Sequence, residues 1–163
     1  MDFGLTQIFD NNLIVKNILT EIFDKRFITF IKKHHVLTMA TCINNIPYCA
    51  NCFYAFDKEY NRLIFTSSEN TRHIEEGLQN SQVAGSIVLE TNIVGKIKGL
   101  QFQGRITKPD GERLSSAEKL YYKRFPYAKL MDSVLWEVEL SFAKLTDNTL
   151  GFGTKLIWNS VSK

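Results

Sequence analysis

Three strand-like segments follow one another within residues 36–67, separated only by short turn signals. The segments are VLTMATCI, YCANCFYAF and RLIFTS, and the connections are NNIP and DKEYN. Asn-Asn tolerates positive φ and Pro47 stops a hydrogen-bonded ladder from continuing, so the first connection predicts a tight hairpin turn. Hairpins in succession favour an antiparallel sheet over an alternating parallel one.

Four later segments also have strand patterning. They are QVAGSIVL, IKGLQFQGRIT, VLWEVELSFAKLT and GFGTKLIW. Gly99 and Gly104 lie inside one of them, where a residue without a side chain suits a bulge or a barrel corner. The segments, mostly in hairpin order, indicate a mainly β fold built as an antiparallel barrel.

Helical patterns occur before and between the strands. Apolar residues recur at helical spacing from Leu13 to Ile31, which predicts an amphipathic helix that ends near KKHH. Residues Thr71 to Gln79 have helix-forming composition. The segment AEKLYYKRF predicts a short helix that Ser115 or Ser116 caps and Pro126 ends, and YAKLM predicts another short stretch. The barrel is therefore expected to carry an N-terminal helix and short helices between strands.

The length of the chain suits a single domain. Its 163 residues can bury one substantial core, and 23% charged with 44% hydrophobic residues is ordinary for a globular fold. We expect an N-terminal helical segment over residues 1–33 and a barrel domain over residues 34–163.

Charge and cysteine content restrict the expected partners and compartment. The net charge is +3 and the basic residues are scattered, which argues against nucleic-acid binding but permits a small anionic ligand. No apolar run approaches the ~18 residues of a membrane span. The start, MDFGLTQIFDNN, mixes acidic with apolar residues, unlike a signal peptide. Three cysteines without export signals predict reduced thiols in the cytoplasm.

A polar cluster closes the third strand segment in FTSSENTRH. Its hydroxyl and basic side chains are Thr66, Ser67, Ser68, Thr71, Arg72 and His73. Free amides at a helix start, together with hydroxyls and a guanidinium, are the chemistry that binds a phosphate. The alternative is an ordinary turn in which Asn70 or Thr71 caps the helix, although no Glu or Gln completes a capping box.

Two further motifs invite a metal or haem interpretation. Cys49 and Cys52 are three apart in a strand, so they point to opposite faces and do not chelate one metal ion without distortion. We therefore expect free core thiols and no metal site. His34 and His35 at a predicted helix end are either partners of the helix dipole or axial ligands of haem.

The last two motifs each leave two interpretations open. YYKRFPYAKL predicts either a basic-aromatic binding stripe or a short helix that packs its aromatic side on the barrel. DNTLGFGTK predicts either a plain bulged hairpin or a contribution to a subunit interface or cofactor pocket.

The order of these motifs resembles the FMN-binding split barrels related to pyridoxamine 5'-phosphate oxidase. The closer resemblance is to a small bacterial branch, the YhbP-like proteins. It rests on CANCFYAFD, TRH, RFP and TDNTLGFGTKLIW in that order, and it covers roughly His34 to Trp158. The resemblance implies an antiparallel split β-barrel.

The resemblance also implies FMN as the cofactor and a set of binding residues. In these barrels, hydroxyl and basic residues after the third strand hold the FMN phosphate, and a glutamine on a later strand faces the flavin. The residues assigned in this way are Thr66, Thr71, Arg72 and His73, with Ser67 beside them, for the phosphate and ribityl side, and Gln101 for the ring. His73 stands where many relatives have lysine, so its contact is expected to depend on pH.

The activity implied is that of a flavin-dependent oxidoreductase of unknown substrate. The end of the chain, GFGTKLIWNSVSK, lacks the Arg-x-His of the oxidase, so vitamin B6 oxidation is not expected, and catalytic residues stay unassigned. The alternatives are a non-catalytic flavin-binding or vestigial barrel and a haem-binding or haem-degrading one. A barrel so rich in aromatic residues is expected to expose an apolar patch, which favours a homodimer with the flavin near its interface.

Overall fold

Six antiparallel strands close a barrel in the computed structural model, which describes residues 17–20 (backbone only), 23–130, 134–151 and 153–160. The strands are β1 (Asn17–Thr20), β2 (Val36–Ile43), β3 (Ile46–Asp57), β4 (Arg62–Ser67), β5 (Gln82–Val88), β6 (Lys98–Thr107), β7 (Val134–Asp147) and β8 (Lys155–Asn159). The helices are α1 (Lys25–Lys33), α2 (Arg72–Gln79) and α3 (Gly111–Arg124). Short 3-10 helices cover Val94–Lys96, Pro126–Leu130 and Asn148–Leu150.

The ring of strands runs β7, β4, β3, β2, β5, β6 and returns to β7. The long β7 makes this closure possible, because it pairs with β4 and with β6 and then continues to pair with β8. Strand β6 shows the expected alternation, with Leu100, Phe102 and Ile106 buried inside the barrel and Gln101 and Gln103 exposed outside it. The mainly β, antiparallel barrel expected from the sequence is confirmed.

The hairpin between β2 and β3 has the predicted turn. Asn44 and Asn45 have φ values of 52° and 63°, which is the conformation that a two-residue hairpin turn requires. Pro47, however, does not end the ladder, since it lies within β3 opposite Cys42. A proline near the first residue of a strand is compatible with pairing.

The predicted bulge in β6 is confirmed at Gly104. The register with β7 shifts between Gln103 and Gly104. A Cβ atom at Gly104 would lie 2.3 Å from the carbonyl oxygen of Glu139, so only glycine lets the two backbones approach at this corner. Gly99 lies in regular pairing, opposite Thr146.

The long helix predicted from Leu13 to Ile31 is wrong in its first part. Residues Asn17–Thr20 form β1, which pairs in parallel with β8, and the helix begins only at Lys25. Strand β1 forms because the edge of β8 offers unpaired backbone hydrogen-bonding groups. The spacing of apolar residues along the chain carries no signal for a pairing with so distant a segment. The predicted end is confirmed, because α1 stops at Lys33. Residues 13–16 lie outside the described part of the chain.

Helix α3 is longer than the sequence predicts. It begins at Gly111, so Ser115 and Ser116 lie inside the helix and do not cap it. Ser116 instead donates a hydrogen bond to Asp57 Oδ2 at 3.2 Å. The end before Pro126 is confirmed, and YAKLM falls largely in the 3-10 helix Pro126–Leu130.

Helix α3 covers one outer face of the barrel, and no described helix packs over the outer face of β2, β5 and β6. Outside the barrel interior, an apolar cluster joins α3 to strands β3, β4 and β7 through Ala55, Ile64, Ala117, Tyr121 and Leu135.

No described helix has the length and apolar character needed to cross a membrane.

Candidate functional site

A cavity of about 380 Å³ opens where β4 ends and α2 begins. Its polar lining comes from Asn51 on β3, Thr66 and Ser67 on β4, and His73 on α2. This volume falls within the range of small-molecule sites, which combine apolar walls with a few convergent polar groups. Three of the residues predicted to hold a phosphate are thus brought together in one cavity.

Ser67, Thr71 and His73 form a hydrogen-bonded group, referred to below as the hydroxyl–imidazole cluster. The Oγ atom of Ser67 lies 2.9 Å from Thr71 Oγ1 and 2.9 Å from His73 Nε2. Thr71 Oγ1 also donates to the carbonyl oxygen of Ser68 at 2.9 Å. These contacts hold the three side chains together, and the Thr71 hydroxyl would have to release the Ser68 carbonyl before it could donate a hydrogen bond to an anion.

The start of α2 adds two backbone donors to the cluster. The amides of Ile74 and Glu75 donate to the carbonyl of Thr71 at 3.0 Å. The amides of Arg72 and His73 have no hydrogen-bond partner in the part of the chain that the structure describes. Thr71 holds the N-cap position, but its side chain makes no capping hydrogen bond. The start of α2 therefore lacks the bond that defines a simple side-chain cap and keeps two donors free for an anion.

Burial sets the protonation state of His73 in the free protein. The imidazole is half-buried, and desolvation lowers its pKa below the ordinary value of histidine. His73 is therefore neutral at neutral pH when nothing is bound. An anion beside Nε2 would stabilise the imidazolium and oppose this shift.

Arg72 is engaged outside the cavity. Its Nε donates to Glu76 Oε1 at 2.7 Å, and its guanidinium lies 4.4 Å from the ring centre of Tyr48. The other carboxylate oxygen of Glu76 accepts a hydrogen bond from Thr41 at 2.5 Å. The bonds from Thr41 and then Arg72 lower the pKa of Glu76, which keeps it ionised. The Arg72 side chain is 52% exposed, so it is free to exchange partners.

An aromatic wall faces the cluster across the cavity. Phe53, Tyr121, Phe125 and Tyr127 line it, and the Tyr121 hydroxyl lies 3.1 Å from Thr66 Oγ1. Burial raises the pKa of Tyr121, so its hydroxyl stays protonated. Sequence reasoning did not assign these residues to the site. The available signal was the aromatic run in YYKRFPYAKL, which packs on the barrel through Tyr121 and also faces the cavity.

Gln101 lies on the bare outer face of the barrel and does not line the cavity. Strand register connects it to the cavity through a row of polar residues: Asn51 is opposite Thr38, Thr38 is opposite Ser86, and Ser86 is opposite Gln101. Three strand spacings make this row about 14 Å long. The predicted phosphate and ring residues therefore lie at the two ends of one surface.

The same outer face exposes large apolar side chains. Val36, Phe53 and Val88 are 45%, 59% and 66% exposed, and Val36 is paired opposite Phe53. We call the surface formed by the outward side chains of β2, β5, β6 and the first part of β3, up to Phe53, the bare face. Its apolar residues adjoin the cavity at Phe53.

The cysteines differ in burial. Cys52 is buried and lines the cavity, and desolvation raises its pKa to about 11. Cys49 and Cys42 are exposed, so the expectation of a core thiol is wrong for Cys49, which points outward from β3. All three are free thiols. In the described residues no group of three or more His, Cys, Asp or Glu is placed to hold a metal ion.

The motif DNTLGFGTK joins β7 to β8, and none of its described residues lines the cavity. Asp147 Oδ1 accepts hydrogen bonds from the amide and hydroxyl of Thr149. Asn148 Nδ2 donates to the carbonyl of Val94 at 2.8 Å, and Asn148 Oδ1 accepts from the amide of Gly153. The motif thus fixes the loop between β5 and β6, which agrees with the hairpin interpretation.

Solved structures identify the class of this fold. A haem-binding protein from Mycobacterium smegmatis superposes with a TM-score of 0.68 and 16% identity over 80% of this chain, which spans 55% of that protein's length. HutZ, the haem storage protein of Vibrio cholerae, superposes with a TM-score of 0.60 and 17% identity over 73% of this chain and 90% of HutZ. An FAD-binding protein from Mesorhizobium loti superposes with a TM-score of 0.60 and 14% identity over 72% of this chain and 89% of that protein. The fold is therefore that of the split barrels.

Sequence comparison then gives the family. The chain is 39% identical over 132 residues to a UPF0306 protein of Yersinia pestis, which covers 81% of this chain and 90% of the relative. The chain belongs to the UPF0306 family, and the predicted membership of the YhbP-like branch is confirmed. No family model matches the sequence.

Proposed function

We propose that this protein binds FMN, with the phosphate on the hydroxyl–imidazole cluster and the flavin ring across the bare face. The observation that carries the proposal is that Ser67, Thr71 and His73 form one hydrogen-bonded group at the start of α2, where the amides of Arg72 and His73 have no partner in the described residues. Oriented amides at a helix start and hydroxyl donors are the groups that bind phosphate in nucleotide sites. The FAD-binding structural neighbour supports a flavin as the ligand class.

Each residue of the site would have a separate task. Ser67 and Thr71 would donate hydroxyl hydrogen bonds to phosphate oxygens, and Arg72 would exchange Glu76 for the phosphate. Gln101, at the far end of the polar row, would hydrogen-bond the ring. Bound flavin supplies hydride and electron transfer, while the protein supplies position and electrostatics. We propose an oxidoreductase on this basis.

Titration of the purified protein with FMN, followed by flavin fluorescence quenching, tests the proposal. Ser67→Ala removes a donor from the cluster and is expected to weaken binding about tenfold. Ser115→Ala is the matched control, because Ser115 is exposed on α3 and its hydroxyl donates to the carbonyl of Gly111 in its own helix, away from the cavity. Wild-type protein that does not quench FMN, or equal losses in both variants, would contradict the proposal.

The affinity for FMN is expected to fall as pH rises from about 6 to 8, in part through His73. Burial lowers the pKa of this imidazole, and a bound phosphate raises it again, so binding takes up a proton. Binding linked to proton uptake is stronger at low pH and weakens as pH rises through the pKa of the bound form. The FMN phosphate also titrates near pH 6, so the measurement is the ratio of wild-type to His73→Asn affinity at each pH. A ratio that does not change with pH would show that His73 does not meet the phosphate as a cation.

Haem is the second candidate ligand, favoured by His34 and by the haem-binding structural neighbours. Desolvation, followed by the charge of Lys33, lowers the pKa of the half-buried His34, which leaves the neutral imidazole that iron requires. The centre of the His34 ring lies 4.3 Å from the centre of the Phe30 ring. A Soret band that His34→Ala abolishes, in place of a flavin spectrum, would favour this candidate.

The bare face also supports a homodimer. Three exposed apolar side chains next to the cavity form the kind of patch that a second copy covers. A two-fold contact on this face would enclose a flavin ring that one barrel leaves open to water.

A further inference from the structure

A second cleft, of about 330 Å³, lies between α1 and the ends of strands β5, β6 and β7. One side of α1 contributes Lys25, Thr29 and Lys33, and the barrel contributes Leu89 and Lys98. The cleft shares no lining residue with the cavity next to the hydroxyl–imidazole cluster. It is therefore separate from the proposed flavin site, although His34, the candidate haem ligand, is one of its lining residues.

The cleft carries positive charge that no described acidic residue neutralises. Its charged lining residues are Lys25, Arg26, Lys33, Lys98 and Asp147. Arg26 is held by Asp24 at 2.7 Å, and Lys98 by Asp147 at 2.8 Å. Lys25 and Lys33 have no ion-pair partner in the described residues. Two cations therefore remain to attract an anionic ligand.

The two uncompensated lysines stand at opposite ends of an apolar floor. Lys25 and Lys33 are eight residues apart on α1, which places them about 12 Å apart along the helix axis. Between them lie Phe30 and Leu145, both buried, and the half-buried Leu89. A ligand that satisfies both lysines must be elongated, with acidic groups at its ends and an apolar middle.

Both ends of α1 are fixed, so the spacing of the lysines is set before a ligand arrives. Asp24 Oδ1 accepts a hydrogen bond from the amide of Arg26 at 2.7 Å at the start of the helix. At the other end Arg124 Nη2 donates to the carbonyls of Lys32 and His34, at 3.1 and 2.5 Å. A site that is already ordered loses less entropy on binding.

We propose that this cleft binds an elongated organic dianion with an apolar middle, of the aliphatic dicarboxylate class. One carboxylate would pair with Lys25 and the other with Lys33, and the chain between them would cover Phe30 and Leu145. The proposal goes beyond the flavin function, and its probe contains no phosphate.

Titration of the full-length protein with decanedioate tests the proposal by calorimetry and by amide chemical shifts. Shifts are expected at Lys33, Leu89 and Lys98. Lys25→Gln and Lys33→Gln are each expected to weaken binding about five- to tenfold. Decanoate, with one carboxylate, is expected to bind more weakly by a similar factor.

Lys32→Gln is the matched control, since Lys32 is an exposed neighbour on α1 that does not line the cleft. An equal loss in Lys32→Gln would show only general attraction to a basic surface and would overturn the proposal. Absence of shifts at the cleft amides would also overturn it. Saturating FMN and Ser67→Ala are expected to leave decanedioate binding unchanged, so failure of the flavin proposal is distinguishable from failure of this one.

Discussion

Replacing Arg62 with methionine is expected to lower the free energy of unfolding by about 3–5 kcal/mol, the typical cost of breaking a buried ion pair. Arg62 is fully buried, and its guanidinium pairs with the carboxylates of Asp57 and Glu137. It also donates to the carbonyl of Arg113 at 3.0 Å. Methionine fills similar volume but leaves two buried carboxylates without this partner, and an uncompensated buried charge is the source of the penalty.

Urea denaturation of wild type and variant measures this loss. Arg26→Met is the matched control, because Arg26 is exposed and pairs with Asp24 in solvent, where an ion pair contributes about 0–1 kcal/mol. Arg113 lies 2.7 Å from Glu137 and is expected to keep this pair in the Arg62 variant, so Asp57 would carry most of the unpaired charge. Equal losses in the two variants would show that burial of Arg62 does not set the stability of this end of the barrel.

Local signals predicted the parts of the fold that short-range sterics decide. The turn at Asn44 and Asn45 requires positive φ, and the bulge at Gly104 requires the absence of a Cβ atom, so both are visible in the residue types. Strand β1 was not predictable in this way, because its partner β8 is more than a hundred residues away along the chain. The burial of Arg62 was also hidden, since Asp57 is its neighbour across the β3–β4 hairpin but Glu137 becomes its partner only through the pairing of β4 with β7.

The contacts of the candidate site also differ in whether they are local in sequence and therefore predictable. The proximity of Ser67, Thr71 and His73 follows from their spacing around the start of one helix, and the structure brings them together. The pairing of Arg72 with Glu76 is also local, at i and i+4, but the Thr41 bond that orients Glu76 comes from another strand. The aromatic wall at Tyr121 and Phe125 depends on how α3 packs against the barrel, which the sequence pattern does not specify.

Val88→Glu is expected to convert a homodimer into a monomer and to weaken FMN binding at least tenfold. Val88 is 66% exposed on the bare face and does not line the cavity. A carboxylate there, brought into a two-fold interface, would be desolvated next to an apolar surface of the second copy. Light scattering at micromolar concentration should change from twice the chain mass to 18.8 kDa, and a fluorescence titration should report the affinity.

The choice of Val88 keeps the substitution outside the phosphate-binding cavity, while Val88 still shares the bare face with the proposed position of the flavin ring. Phe53→Glu is expected to have both effects too, but Phe53 lines the cavity, so its loss of FMN binding alone would not implicate a second copy. Leu150→Glu is the control, because Leu150 is 50% exposed in the connection between β7 and β8, outside the bare face. A wild-type mass of one chain in the presence of FMN would refute the dimer. A Val88→Glu variant that is monomeric but binds FMN as tightly as wild type would agree with a wild-type dimer. It would also show that a single barrel is enough to hold the flavin.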